Sequence, residues 1–158
     1  MGDGAEREEL AGRARERGLD NVRFLGRVNR DRVPELLGDA DLAMLSLRDL
    51  PLFEDALPSK LLEYMAAARP VVASAAGDVA RLLERSQGGV ATKPGDAGAL
   101  AQSIRELAGN PARARELGEG GRRYVSAHFS REAFVDRLEQ IMHRVTESYS
   151  LPAPERAP

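Results

Sequence analysis

The chain has 158 residues, enough for one domain with a real core and too few for two full ones. A net charge of −2 with mixed acids and bases leaves no footprint for nucleic acid or an acidic membrane. The chain has no cysteine, which removes disulfides and thiolate metal sites; no apolar run approaches a bilayer span and no signal peptide opens the chain, so the default location is cytoplasmic.

Residues 6–17 read as a charged helix with Leu10 and Ala14 on one stripe, ended by Gly18. Asn21-Val-Arg-Phe-Leu-Gly26 reads as a short strand closed by glycine, and residues 31–37 as a helix broken by Gly38-Asp39. Leu42-Ala-Met-Leu-Ser46 is a second apolar strand, followed by a long polar and prolyl loop up to Pro58. Ser59 can cap a helix through Leu61, Leu62, Met65 and Ala66, and Arg69-Pro70 ends it, because a residue before proline leaves the α region. Val71-Val-Ala-Ser74 is too short for a helix and suits a strand buried on both faces. Gly77-Asp78 opens a helix through Val79, Leu82 and Leu83, and Gly88-Gly-Val-Ala-Thr92 is the next strand. Pro94-Gly-Asp96 caps a helix with Leu100, Ile104 and Leu107. Asn110-Pro111 starts another, which Gly118, Gly120 and Gly121 are expected to interrupt. Ser130 caps a last amphipathic helix through Phe134, Leu138, Ile141 and Met142, and the proline-rich residues 148–158 read as a disordered tail. Strands alternating with helices place the fold in the α/β class with a parallel, Rossmann-like sheet.

The most informative stretch is Asp55-Ala-Leu-Pro-Ser-Lys-Leu-Leu-Glu63-Tyr-Met-Ala-Ala-Ala-Arg-Pro70-Val-Val-Ala-Ser74. A polar loop feeding a helix N-terminus beside a parallel strand is where α/β proteins hold anionic ligands. Lysine occurs only at Lys60 and Lys93 in an arginine-rich chain, and Lys60 falls in the first turn of that helix.

Five segments in order carry a resemblance: Gly2-Asp-Gly4 before a charged helix, Asn21-Val-Arg-Phe-Leu-Gly-Arg-Val28, Ala40-Asp41 before a strand, Pro58-Ser-Lys-Leu-Leu-Glu-Tyr-Met-Ala-Ala67, and Arg69-Pro-Val-Val-Ala-Ser74. Together they resemble the C-terminal, donor-binding half of a GT-B glycosyltransferase of the retaining family-four type, in the branch that assembles bacterial surface polysaccharides. The resemblance runs from Gly2 to about Arg144. It implies that Glu63 receives the ribose hydroxyls of a nucleotide-diphosphate sugar, since a carboxylate accepts two hydrogen bonds from a vicinal diol. It implies that Ser59 and Lys60 face the diphosphate, with Leu57 and Pro58 in the loop before them. The first glutamate of the motif falls on Asp55, one methylene shorter and beside Glu54, so either acid can take the donor-sugar role near the breaking bond. The resemblance also implies that the main chain of Gly26, Arg27 and Val28 contacts the base. It implies no metal or other cofactor, because the family stabilises the diphosphate with basic side chains and helix dipoles. His128 and His143 lack metal-ligand spacing, Asp78 and Asp96 read as helix-starting acids, and Ala68 stands where the family has a left-handed glycine.

By the same resemblance, members carry an N-terminal acceptor domain and a first strand–helix unit that this sequence does not contain. The chain is then expected to be N-terminally truncated and inactive alone, because the absent turn carries the Arg and Lys that stabilise the departing diphosphate. In the strand order 3-2-1-4-5-6, such a gap separates residues 22–25 from the other strands by roughly 10 Å. The expectation is that residues 22–25 pair directly with residues 42–46, or that a partner chain fills the gap, with self-association through unpaired edges. The intact enzyme is expected in the cytoplasm or peripheral to the inner membrane. Competing readings are a non-catalytic or split-subunit module that holds the nucleotide sugar, and a sugar-nucleotide epimerase of the same architecture, which the Pro58–Ser74 run argues against. A nicotinamide dehydrogenase is weaker, because no G-x-G-x-x-G follows a strand.

Overall fold

The computed structural model describes residues 3–148. Residues 149–158 of the expected tail lie outside the described residues, while Ser148 is helical and not part of a disordered tail. The chain forms two compact units, one up to Asp39 and one from Ala40 onward. In the first, α1 (Arg7–Glu16) has Glu8 and Glu9 in its first turn and Arg13 and Arg15 in its last, the order that complements the helix dipole. Gly18, at φ +62°, donates its N–H to the Arg15 carbonyl and ends the helix as expected. A single 3₁₀ turn (Arg30–Arg32) leads into α2 (Val33–Gly38), whose Leu37 is buried.

Residues 22–25 form no strand, contrary to the sequence expectation. Val22, Phe24 and Leu25 are exposed, and the expected pairing with the Leu42–Ser46 region does not occur. The physical reason is non-local. Apolar β-formers favour extended backbone, but a strand exists only where a neighbour takes up its N–H and C=O groups.

The second unit is built on a parallel sheet of β1 (Ala43–Ser46), β2 (Val71–Ser74) and β3 (Gly89–Thr92), in that spatial order. The register runs from Ala43, Val71 and Gly89 at the amino edge to Ser46, Ser74 and Thr92 at the carboxyl edge. Helix α3 (Ser59–Ala66) crosses from β1 to β2, and α4 (Gly77–Ser86) from β2 to β3. Helices α5 (Ala97–Ala108), α6 (Pro111–His128) and α7 (Arg131–Ser148) follow.

Central strand β2 is buried on both faces, as its unbroken apolar run predicts. Val71 and Ala73 pack with Leu45 against Leu61 and Met65 of α3, Val79, Leu82 and Leu83 of α4, and Val125 of α6. Val72 points the other way, to Leu107 of α5 and Leu117 of α6. Leu61, Met65 and Val79 are completely buried, and each such side chain contributes about 1.5–3 kcal/mol by leaving water. Three helix starts carry their expected caps. Asp96 Oδ1 accepts from Ala99 N–H at 2.8 Å, Asn110 Oδ1 from Arg113 N–H at 3.1 Å, and Ser130 Oγ from Ala133 N–H at 3.1 Å.

Two local expectations are corrected. Ser59 is not the cap of α3: Pro58 holds that position, with φ −64° and ψ 135°, and no side chain caps the helix. Ser59 lies one residue inside, where its hydroxyl is past the capping geometry. Nor do the glycines break α6, which is continuous over 18 residues. They are where other backbone comes close. A Cβ at Gly118 would lie 2.2 Å from the Ala68 carbonyl oxygen, and one at Gly120 would lie 2.7 Å from that of Gln87. Packing against the turns that end α3 and α4 outweighs the propensity cost, about 1 kcal/mol for each glycine. Ala68 does adopt the left-handed conformation expected of its position, at φ 54°. The expected apolar face of α7 is exposed, with Phe134, Leu138, Ile141 and Met142 each at least 44% accessible.

Candidate functional site

In parallel α/β sheets, ligands sit outside the carboxyl ends of the strands. Here that edge is the row Ser46, Ser74 and Thr92, and three loops leave it. The loop after β1 is long. It passes through a 3₁₀ turn (Pro51–Phe53) and delivers Asp55, Leu57 and Pro58 to the start of α3. Leu57 and Pro58 are half-buried, and Asp55 has a side chain 92% exposed.

Helix α3 places its residues by period. Leu61 and Met65, four apart, point into the core and fix the helix against the sheet. Ser59 and Glu63, also four apart, share the accessible side with Lys60, and all three are exposed. Extended Pro58 ends the chain's approach, and the Leu61 N–H turns back to the Pro58 carbonyl at 3.0 Å. The N–H groups of Ser59 and Lys60 precede the first i→i−4 bond of the helix and lie at its positive end. This turn can receive an anion, and Glu63 stands one turn further along the same side. Beside Glu63, Tyr64 is partly buried; desolvation, and then the Glu63 charge, raise its phenol above the ordinary value.

Helix α4 starts differently. Its cap residue Ala76 supplies no side-chain bond, and the carbonyl of Glu54, from the loop after β1, takes the Asp78 N–H at 2.7 Å. Gly77, at φ +62°, makes this possible, since a Cβ there would lie 1.9 Å from the Glu54 oxygen. Arg81 bonds Asp78 Oδ1 through Nε at 3.2 Å and Nη2 at 2.9 Å, and its Nη2 is 4.0 Å from Asp55 Oδ1. Asp78 is thus the helix-starting acid expected, with a partner the sequence reading did not assign. The involvement of Gly77 and Arg81 was missed, and only the positive φ that glycine allows hinted at it.

The sequence candidates do not all share one unit. Asp55, Leu57, Pro58, Ser59, Lys60 and Glu63 belong to the second unit; Gly26, Arg27 and Val28 belong to the first. Gly26 is buried at φ +65°, with the Arg7 guanidinium 3.4 Å from where a Cβ would be; Arg27 is exposed and Val28 half-buried.

The three post-strand loops close around a space of only about 10 Å³, lined by Leu47, Phe53, Glu54, Ala76 and Pro94 among others. A larger one, about 700 Å³, lies at the amino ends of the strands between Leu42, Arg69, Pro70, Leu107 and Arg115. It is not lined by Asp55, Ser59, Lys60 or Glu63, so chemistry and not volume locates the candidate site. Among the described residues no group of three or more His, Cys, Asp or Glu could hold a metal ion, and no helix is long and apolar enough to cross a membrane. His128 packs on Tyr124, ring centres 4.4 Å apart.

A three-stranded parallel sheet flanked by helices defines a Rossmann-like α/β domain. The chain belongs to the glycosyl transferases group 1 family, which matches residues 1–124. It is 28% identical over 141 residues to glycogen synthase of Mycobacterium tuberculosis, covering 89% of this chain and 33% of that protein. The chain therefore spans about a third of the length of the curated relatives it matches. Among solved structures it is similar to sucrose-phosphate synthase from Thermosynechococcus elongatus, with TM-score 0.75 and 29% identity over 92% of this chain and 35% of that one. It is similar to Anabaena HepE in complex with UDP-glucose, with TM-score 0.73 and 25% identity over 92% of this chain and 39% of that one. The C-terminal domain of a group 1 family protein from Francisella tularensis shares the fold, with TM-score 0.60 over 79% of this chain and 63% of that one at 19% identity. The fold is that of GT-B glycosyltransferase C-terminal domains.

Proposed function

We propose that this chain is the donor-binding portion of a retaining glycosyltransferase of the family-four type, which moves a sugar from a nucleotide diphosphate to a glycan or lipid-linked acceptor. The observation that carries this reading is the first turn of α3. Its uncapped N–H groups at Ser59 and Lys60 stand one turn from exposed Glu63, at the carboxyl edge of a parallel sheet. The same reading is supported by family membership and by the likeness to a protein solved with UDP-glucose.

In this reading the helix turn and the Lys60 ammonium balance the diphosphate charge, and the Glu63 carboxylate accepts both ribose hydroxyls. Asp55, or Glu54 beside it, meets the sugar. Leu57 and Pro58 wall the approach. The donor is a substrate, and no metal or other cofactor enters the proposal.

Transfer also needs an acceptor site and further positive charge on the leaving diphosphate. We assign the acceptor site to an N-terminal acceptor domain and the charge to the turn of a first strand–helix unit, in a longer chain or a partner chain, and expect this chain alone to bind donor without transferring sugar.

The test is a calorimetric titration of UDP, GDP and their common sugar conjugates into the purified chain. One nucleotide series should bind, and Glu63→Ala should weaken it about 10- to 100-fold, the worth of hydrogen bonds to a charged group. A folded chain that binds no nucleotide, or a Glu63→Ala chain that binds as wild type does, overturns the reading.

A further inference from the structure

We infer that the first turn of α4 is a positioning device for the sugar-reading acid: Gly77, the Asp78 N–H and the Arg81 side chain hold the Glu54–Asp55 peptide in place. The inference rests on the proposed donor-binding role and adds to it residues outside the motif.

Asp55 cannot hold itself. Its side chain is almost wholly exposed, and it sits at the end of a long loop whose last regular turn stops at Phe53. What fixes the loop there comes from α4. The Glu54 carbonyl accepts the Asp78 N–H at 2.7 Å, so the loop does for α4 what a capping side chain usually does. Only glycine fits at residue 77, because its φ is +62° and a Cβ would strike the Glu54 backbone. Arg81 adds a second tie. Anchored on Asp78, its Nη2 reaches towards Asp55 Oδ1 at 4.0 Å. An exposed pair at that distance adds little stability, so its effect is on where the carboxylate points.

Arg81 and Gly77 are thus positioning residues that act through Asp55, not groups that touch the donor. The signature is selective: disturbing them should affect the sugar and spare the nucleotide.

The experiment compares UDP with UDP-glucose as titrants of the purified chain. Asp55→Ala, Arg81→Gln and Gly77→Ala should each weaken UDP-glucose about three- to tenfold, one net hydrogen bond's worth, and leave UDP within about twofold. Arg81→Lys should restore part of the difference. Gly95→Ala is the control for backbone strain, since Gly95 also has positive φ, +82°, but nothing within 4 Å of its Cβ position. It should lower the melting temperature without separating the two ligands. Gly77→Ala carries a risk of unfolding, which circular dichroism reports; Arg81→Gln, on the surface, then decides alone.

The inference is overturned if wild type loses donor with Glu63→Ala as proposed, yet Arg81→Gln leaves UDP-glucose unchanged. It is also overturned if Arg81→Gln weakens UDP and UDP-glucose equally, which would make Arg81 a diphosphate contact, or if Asp55→Ala itself has no effect. A folded wild type that binds no ligand of the UDP or GDP series overturns the donor reading first, and this inference with it.

Discussion

Helices α3 and α4 start from the same edge of the same sheet, yet their first turns are used in opposite ways. That of α4 is closed by the chain: the Glu54 carbonyl takes the Asp78 N–H, and Gly77 exists in a form that lets it do so. That of α3 has no side-chain cap, and its N-cap is a proline, whose side chain has no hydrogen-bond acceptor. A helix start left uncapped gives up about 1 kcal/mol that a Ser or Asp would contribute. The difference teaches that helix dipoles alone do not mark a binding turn. On the proposed donor reading, what marks it is a dipole that the protein itself leaves unanswered, next to one that it does answer.

The largest effect breaks the comparison from below. Leu61, completely buried, anchors the open turn, and Leu61→Ala should cost about 2–5 kcal/mol in denaturant melts. Val79 anchors the closed turn and, being smaller, should cost less as Val79→Ala, about 2 kcal/mol. A cost under about 1 kcal/mol for Leu61→Ala would show that α3 is not held where the donor reading needs it.

A second substitution turns the open terminus into a closed one. Pro58 already has the backbone angles of an N-cap, so Pro58→Asp can supply the missing acceptor. It should exceed Pro58→Ala in stability by about 1 kcal/mol, the alanine serving to subtract the loss of proline's rigidity. The same change places a negative charge at the anion turn and should weaken UDP relative to Pro58→Ala. Equal UDP affinity in the two variants would dissociate the turn from the diphosphate.

The smallest effect concerns the body of α3. Burial, and then the Glu63 charge, raise the Tyr64 phenol in the folded chain. A raised folded-state value means that this contribution to stability is full below the unfolded value, about 10, and is lost as pH rises through the folded one. Stability should therefore fall more steeply above about pH 10 in wild type than in Tyr64→Phe, with parallel curves below. Parallel curves throughout would mean that Tyr64 is as solvated as in the unfolded chain.

The segment from Asp55 to Ser74 was legible because its signals are local. Pro58 and Pro70 bracket a short helix, Leu61 and Met65 set its buried side, and Val71-Val-Ala can only be a covered strand. What could not be read depends on distant backbone. Residues 22–25 have strand composition, but a strand is a property of two segments and no neighbour joins them. Gly118 and Gly120 look like breaks until the carbonyls of Ala68 and Gln87 are seen against them. The Glu54–Asp78 hydrogen bond likewise joins separate loops, so no spacing rule announces it. Ser59 is a smaller case: composition finds the helix start, and one residue of offset decides whether a serine caps it.

In the sheet, every strand pairs only with the next strand along the chain. Forming the ladder therefore means closing one crossover at a time, a modest entropic demand that keeps contact order low for a parallel sheet. β2, central and wholly buried, is the element both closures share. The two helix starts contrasted above sit on those two crossovers, so the folding events that build the sheet are the same ones that set the open turn beside the closed one.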